Sequence, residues 1–158
     1  MLRKMPVIQK KVPVPDQLVT PLGAYLDLSG QYRQVLANLN RYMAGDYTQH
    51  LATISTLIAS STVRSPAEAV QMLDSAQEYA SQMLVDASGF EIQFESMLEA
   101  VERPPLNPRS KHVSGLKVDL LGLQKIVKKM IEEIKKLEPM ILETRAIYER
   151  RLARQQKS

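Results

Sequence analysis

Two histidines, His50 and His112, and a row of glutamates, Glu91, Glu95 and Glu99, are the side chains of this 158-residue chain best placed to do chemistry. Four-residue steps put the three carboxylates on one face of a helix, the arrangement from which di-iron bundles build a metal site. Such sites also need a Glu-x-x-His step, and the sequence contains none. His50 stands in a Thr- and Gln-rich helical stretch and His112 in a proline-rich segment, and neither belongs to a metal-binding signature. Both therefore read as surface residues that hold no metal. The glutamates read as a solvated face, or as partners of Lys128, Lys129, Lys135 and Lys136.

Other catalytic constellations are missing as well. The six glycines are scattered, with no phosphate-cradling loop and no G-x-S-x-G elbow, and no Ser, His and Asp stand within plausible reach of one another. The absence of cysteine excludes disulfides, zinc thiolates and a thiol nucleophile. The expectation is a chain without enzymatic activity, cofactor or metal. Met83, Met97 and Met130 fall at core spacing and read as core filling before an adaptable Met-rich groove.

The elements behind these residues are helical. Apolar residues make up 44% of the chain and aromatics 5%, with no Trp, which is too few aromatics for a β-sandwich or a base-stacking surface. From Leu18 to Ile58 the apolar positions recur every three or four residues, and Thr20 with Pro21 makes a cap and first helical position. Leu39, Met43, Tyr47 and Leu51 keep this phase through Gly45 and Asp46, predicting one continuous helix with a soft point. Ser65-Pro66-Ala67-Glu68 is a second start, with Ser65 as cap, Pro66 where its missing N–H costs nothing, and Glu68 closing a capping box. That helix runs through Ser88 and Gly89 to Pro104 and Pro105. After a stiff loop, Leu116, Leu120, Leu123, Val127, Met130, Ile134, Leu137 and Ile141 alternate steps of four and three, a heptad seam that predicts coiled-coil-like packing of a third helix. Leu121, Ile126 and Ile131 widen its apolar face, and Pro139 falls on the outer side. The expected fold is all-α: an elongated antiparallel three-helix bundle over residues 17–158, with helices near 17–61, 66–102 and 114–154. An extended basic arm, residues 1–16, precedes it.

Charge divides along the chain. Residues 1–14 carry four cations and no acid, residues 15–101 three cations against ten acids, and residues 102–158 fourteen cations against seven acids. The basic third part thus has an acidic part of the same chain to face, so a pI near 9.3 does not by itself argue for nucleic acid. In the arm, prolines and cations alternate with Ile8, Val12 and Val14. Two readings fit it: a solvated tail, and a docking strap whose apolar residues are costly to leave in water. At the other end, Arg150, Arg151 and Arg154 form a basic surface able to meet the helix dipole, acidic protein, anionic lipid or phosphate, without interleaved aromatics for specific base reading. No apolar run is long enough to span a membrane, and the N-terminus lacks a secretory apolar core, so a cytoplasmic location or one within an intracellularly assembled particle is expected.

The stretch from Tyr42 to Val101, above all STVRSPAEAVQMLDSAQEYASQML, resembles the helical core of phasins, the amphipathic proteins that coat polyhydroxyalkanoate granules. There too a long helix, a short turn and an S-P-x-E-type start lead into a second helix with a Tyr about a dozen residues on, here Tyr79. The resemblance implies that apolar faces around Leu51 to Ile58 and Val70 to Met97 would meet a polymer surface.

The residues themselves favour a helical scaffold or structural subunit that docks on other protein subunits, a second copy among them. Ile8, Val12 and Val14 of the arm, and Leu120, Val127, Met130, Ile134, Leu137 and Ile141 of the third helix, are the candidate partner-binding residues.

Overall fold

A computed structural model describes residues 20–157, all of whose regular elements are helices. The arm, with Ile8, Val12 and Val14, lies outside the described residues. The first helical rod comprises α1 (Pro21–Tyr42), a π-helical turn (Met43–Tyr47) and α2 (Thr48–Ser61). After a tight turn come α3 (Pro66–Val101) and, beyond the proline loop, α4 (Lys111–Lys157).

The helix starts obey local chemistry. Thr20 Oγ1 accepts the Gly23 amide at 2.9 Å with Pro21 at the first helical position. Ser65 Oγ accepts the Glu68 amide at 3.3 Å and donates to the Glu68 carboxylate at 2.9 Å, the latter contact varying the expected capping box. The third start differs from expectation. Ser110 Oγ accepts the Val113 amide at 3.3 Å, so α4 begins at Lys111, ahead of Ser114, and His112 is helical. Its far end reaches Lys157, beyond residue 154.

The soft point near Gly45 is a π turn rather than regular α-helix. Thr48 Oγ1 donates to the Met43 carbonyl at 2.6 Å, a side chain inserted into the backbone ladder. Steps of four residues drift about 40° each around an α-helix, and the wider π turn removes that drift. The extra residue of the π turn also shows in the spacing along α4. Tyr25 rests against His112 with ring centroids 6.0 Å apart, and Asp119 and Glu133 act electrostatically on Tyr32 and Tyr47. The α4 residues in that series advance by seven and then fourteen positions, whereas those of the rod advance by seven and then fifteen. The extra residue is absorbed between Tyr32 and Tyr47, where the π turn lies.

α3 is central. It packs along α4 on one side and α2 on the other, while α1 touches α3 and α4 more sparsely. Ala69, Ala76, Ala80 and Ala87 of α3 are buried, and their small side chains let neighbouring helices approach closely. Larger groups fill the remaining space, with Leu73, Met83, Phe94 and Val101 meeting Leu120, Val127, Ile134 and Ile141 in one core that Leu39 and Ile54 complete. At about 25 cal/mol per Å² of apolar surface removed from water, this burial is what offsets the entropy of ordering the chain. Two ion pairs join the ends of α3 and α4. Arg145 Nε donates to Asp74 Oδ1 at 2.7 Å, and Lys117 Nζ meets Glu102 Oε1. Asp74 lies early in α3 and Arg145 late in α4; Glu102 follows the end of α3 and Lys117 lies early in α4.

Candidate functional site

The six seam residues named from the third helix lie inside the chain. Leu120, Val127, Met130, Ile134 and Ile141 are buried, and Leu137 is partly buried against the same core. Their apolar surface is thus already covered by this chain's own helices. Ile131 is buried with them, whereas Leu121 and Ile126, expected to widen the same face, are 46% and 44% exposed.

Other large apolar groups remain outside the core. Val85 and Ile92 of α3 and Val118 of α4 are each 65% exposed, and Leu22, Leu26 and Met140 are also exposed. The sequence pattern placed Leu22 and Leu26 on the apolar face of the first helix, where they are exposed instead, and it did not single out Val85, Ile92, Val118 or Met140. The usable signal was their phase, since Val85 and Ile92 fall seven residues apart on the side of α3 opposite the Leu73, Ala80, Ala87 and Phe94 line. The faces assigned by the phasin resemblance point largely inward: Ile54, Leu73, Met83 and Met97 are buried, and Leu51, Leu57, Ile58 and Val70 are partly buried.

The histidines occupy different settings. His112 is exposed near Tyr25. His50 is half-buried, its ring 5.2 Å from that of Tyr79, and its buried Nδ1 has no hydrogen-bond partner among the described residues. Beside it an open groove of about 390 Å³ is lined by His50, Ser75, Glu78, Tyr79 and Gln82. Among the described residues no group of three or more His, Cys, Asp or Glu side chains is arranged to hold a metal ion. The glutamate row is largely solvated: Glu95 and Glu99 are exposed, and Glu99 pairs with Arg103 of the adjoining loop at 3.4 Å. None of the three pairs with Lys128, Lys129, Lys135 or Lys136; Lys136 instead meets Glu133 at 3.3 Å.

Buried polarity concentrates around the π turn. The Tyr42 ring lies 5.6 Å from Phe90 and 5.9 Å from Tyr47, and its buried hydroxyl has no hydrogen-bond partner among the described residues. Burial first, and then the charge of Asp86, push its pKa well above the ordinary tyrosine value. Tyr32 and Tyr47 are raised in the same direction, chiefly by burial, with Asp119 and Glu133 adding to it. These phenols stay neutral at physiological pH, which suits packing rather than proton transfer.

The basic terminus is a surface feature. Arg150, Arg151 and Arg154 are exposed; the Arg151 guanidinium sits 5.3 Å from the Tyr148 ring centroid, and Arg150 and Arg154 line a shallow groove with Ala153 and Lys157. Among the described residues no helix is long and apolar enough to cross a membrane.

Together these features define an all-α protein with a filled interior and apolar groups left on its outer helix faces. No protein-family model, curated protein or solved structure matches the chain.

Proposed function

We propose that this chain is a non-enzymatic helical scaffold, a structural subunit of a larger protein assembly, located in the cytoplasm or within an intracellularly assembled particle. In this reading residues 20–157 form an elongated antiparallel three-helix bundle, and α4 packs in coiled-coil fashion. The reciprocal placement of the Asp74–Arg145 and Glu102–Lys117 pairs supports the antiparallel arrangement of α3 and α4. Docking uses the arm, through Ile8, Val12 and Val14, and the exposed apolar helix faces.

One observation carries the reading: the seam of α4 is filled within the chain, yet Val85, Ile92, Val118 and Met140 stand in water. Val85 and Ile92, seven residues apart on one face of α3, make an exposed apolar pair that suits a surface meeting a partner. The basic terminal arginines add affinity for anionic surfaces without sequence-specific nucleic-acid recognition.

The test is isolation from the native source of complexes carrying the full chain or a chain lacking residues 1–15, with the retained proteins identified by mass spectrometry. Stoichiometric protein partners lost with the arm are the expected result. Recovery on polymer granules or lipid, unaffected by the deletion, would replace this reading with a phasin-like surface coat, in which the helices open to expose the inward faces of α2 and α3. Recovery of the chain alone would refute both.

A further inference from the structure

We propose that the chain associates with itself head to tail, the basic, partly apolar back of α4 in one copy seating on the acidic, partly apolar back of α3 in the next. The inference rests on the assembly-subunit reading above and names its partner as a second copy of this chain.

α3 carries seven carboxylates and no cation over its 36 residues. Glu78, Val85, Ile92 and Glu99 follow one another at seven-residue steps along its back, and all four are exposed. Around the apolar pair stand Ser81, Ser88 and Gly89, whose small side chains leave a low surface that another helix can approach closely. Among the described residues Glu78 and Glu95 have no ion-pair partner.

α4 carries the complement. Val118 and Leu121, 65% and 46% exposed, stand beside Lys125, Lys128 and Lys129 on the side opposite the buried Leu120, Val127 and Ile134. Among the described residues these three lysines make no ion pair or hydrogen bond. Among the described residues no ion pair joins Glu78 or Glu95 to these lysines within one molecule.

The pairing rule follows from sign. A two-fold contact of the α3 back with itself would set glutamate near glutamate, and one of the α4 back would set lysine near lysine; like charges so placed oppose association. The α4 back on the α3 back of another copy joins opposite charges around apolar centres. Each copy presents one face of each kind, so the association is heterologous and either closes into a ring or extends as a filament.

Sedimentation velocity of the full chain over a range of concentration and salt tests this. Concentration-dependent species larger than a dimer are expected at low salt, weakened about tenfold or more when ionic strength rises from about 0.05 to 0.3 M. Two surface variants locate the contact: Glu78→Lys with Glu95→Lys, and Lys125→Glu with Lys128→Glu, each checked for unchanged helicity and melting temperature. Each alone should be monomeric. An equimolar mixture should recover assembly, because the first variant keeps its basic α4 face and the second its acidic α3 face. A monomeric wild-type chain at all concentrations, assembly that survives either variant, a mixture that stays monomeric, or capture of anionic vesicles or nucleic acid by a monomer through the α4 lysines would each overturn the proposal. A monomeric pure chain that still recovers stoichiometric protein partners from the native source would overturn self-association while leaving the assembly-subunit reading in place.

Discussion

Replacing Tyr42 with Phe should stabilise this protein. The Tyr42 hydroxyl is buried without a hydrogen-bond partner among the described residues, while its ring packs 5.6 Å from Phe90 and 5.9 Å from Tyr47. Phe keeps those ring contacts and removes only the oxygen. An unpaired buried hydroxyl costs about 1–3 kcal/mol, and because the residue as a whole is only half-buried the lower end applies, giving a gain of about 1 kcal/mol. For a chain of this length that raises Tm by about 2–4 °C at neutral pH. The alkaline limb sharpens the test. Tyr42 is raised above the ordinary value of 10, so the folded state holds its proton where the unfolded chain has lost it. That contribution is fully present below pH 10 and is lost as pH climbs towards the folded-state pKa. The Phe variant has no such loss, so its advantage should widen above about pH 10, although Tyr32 and Tyr47, raised in the same direction, still weaken both proteins there. Thermal unfolding followed by circular dichroism at neutral pH and above pH 10 reads both effects. A variant less stable than wild type by about 1 kcal/mol at neutral pH would show that the hydroxyl is satisfied and that the reasoning is wrong.

Deleting Gly45 should turn the π turn into regular α-helix while leaving Tyr47 aligned with Glu133, so helicity is kept and Tm moves by no more than about 5 °C; a collapse of the melting transition would contradict the register argument. Ser65→Ala removes the cap of α3 and should cost about 1 kcal/mol by denaturant titration, with Ser65→Gly costing only a few tenths. Phe94 is fully buried, and Phe94→Ala should destabilise by about 3–5 kcal/mol; a loss under about 1 kcal/mol would place it outside the core. A double-mutant cycle on Asp74 and Arg145, whose side chains are 48% and 28% exposed, should give a solvent-screened coupling of only about 0.5–1 kcal/mol that falls further with salt.

Much of the architecture was legible because its causes are local. Thr20-Pro21 and Ser65-Pro66 start helices through hydroxyl-to-amide bonds spanning three residues, which any chain with those residues in that order can form. Ser110 does the same for α4, and it was missed because the prolines before it drew the boundary towards Ser114. The heptad seam of α4 announced its buried side, as Leu120, Val127, Ile134 and Ile141 confirm. Its partner was not announced. A periodic apolar face states that something must cover it, not whether the cover comes from the same chain.

The candidate interaction faces were less legible for a related reason. Leu121, Ile126 and Ile131 look alike as apolar additions to one helix, but only Ile131 turns inward far enough to be buried. Glu91, Glu95 and Glu99 and the lysines of α4 look complementary in sequence, yet none of these pairs forms between the two helices, whereas Asp74 with Arg145 and Glu102 with Lys117 do. The spacing of three and four, the caps and the uneven distribution of charge were settled by the sequence alone, since each depends on neighbours within one or two turns. Which faces meet was decided by the tertiary structure. Contacts between α3 and α4 join residues as far apart in sequence as Asp74 and Arg145, and the direction and rotation of whole helices determine whether such residues come together.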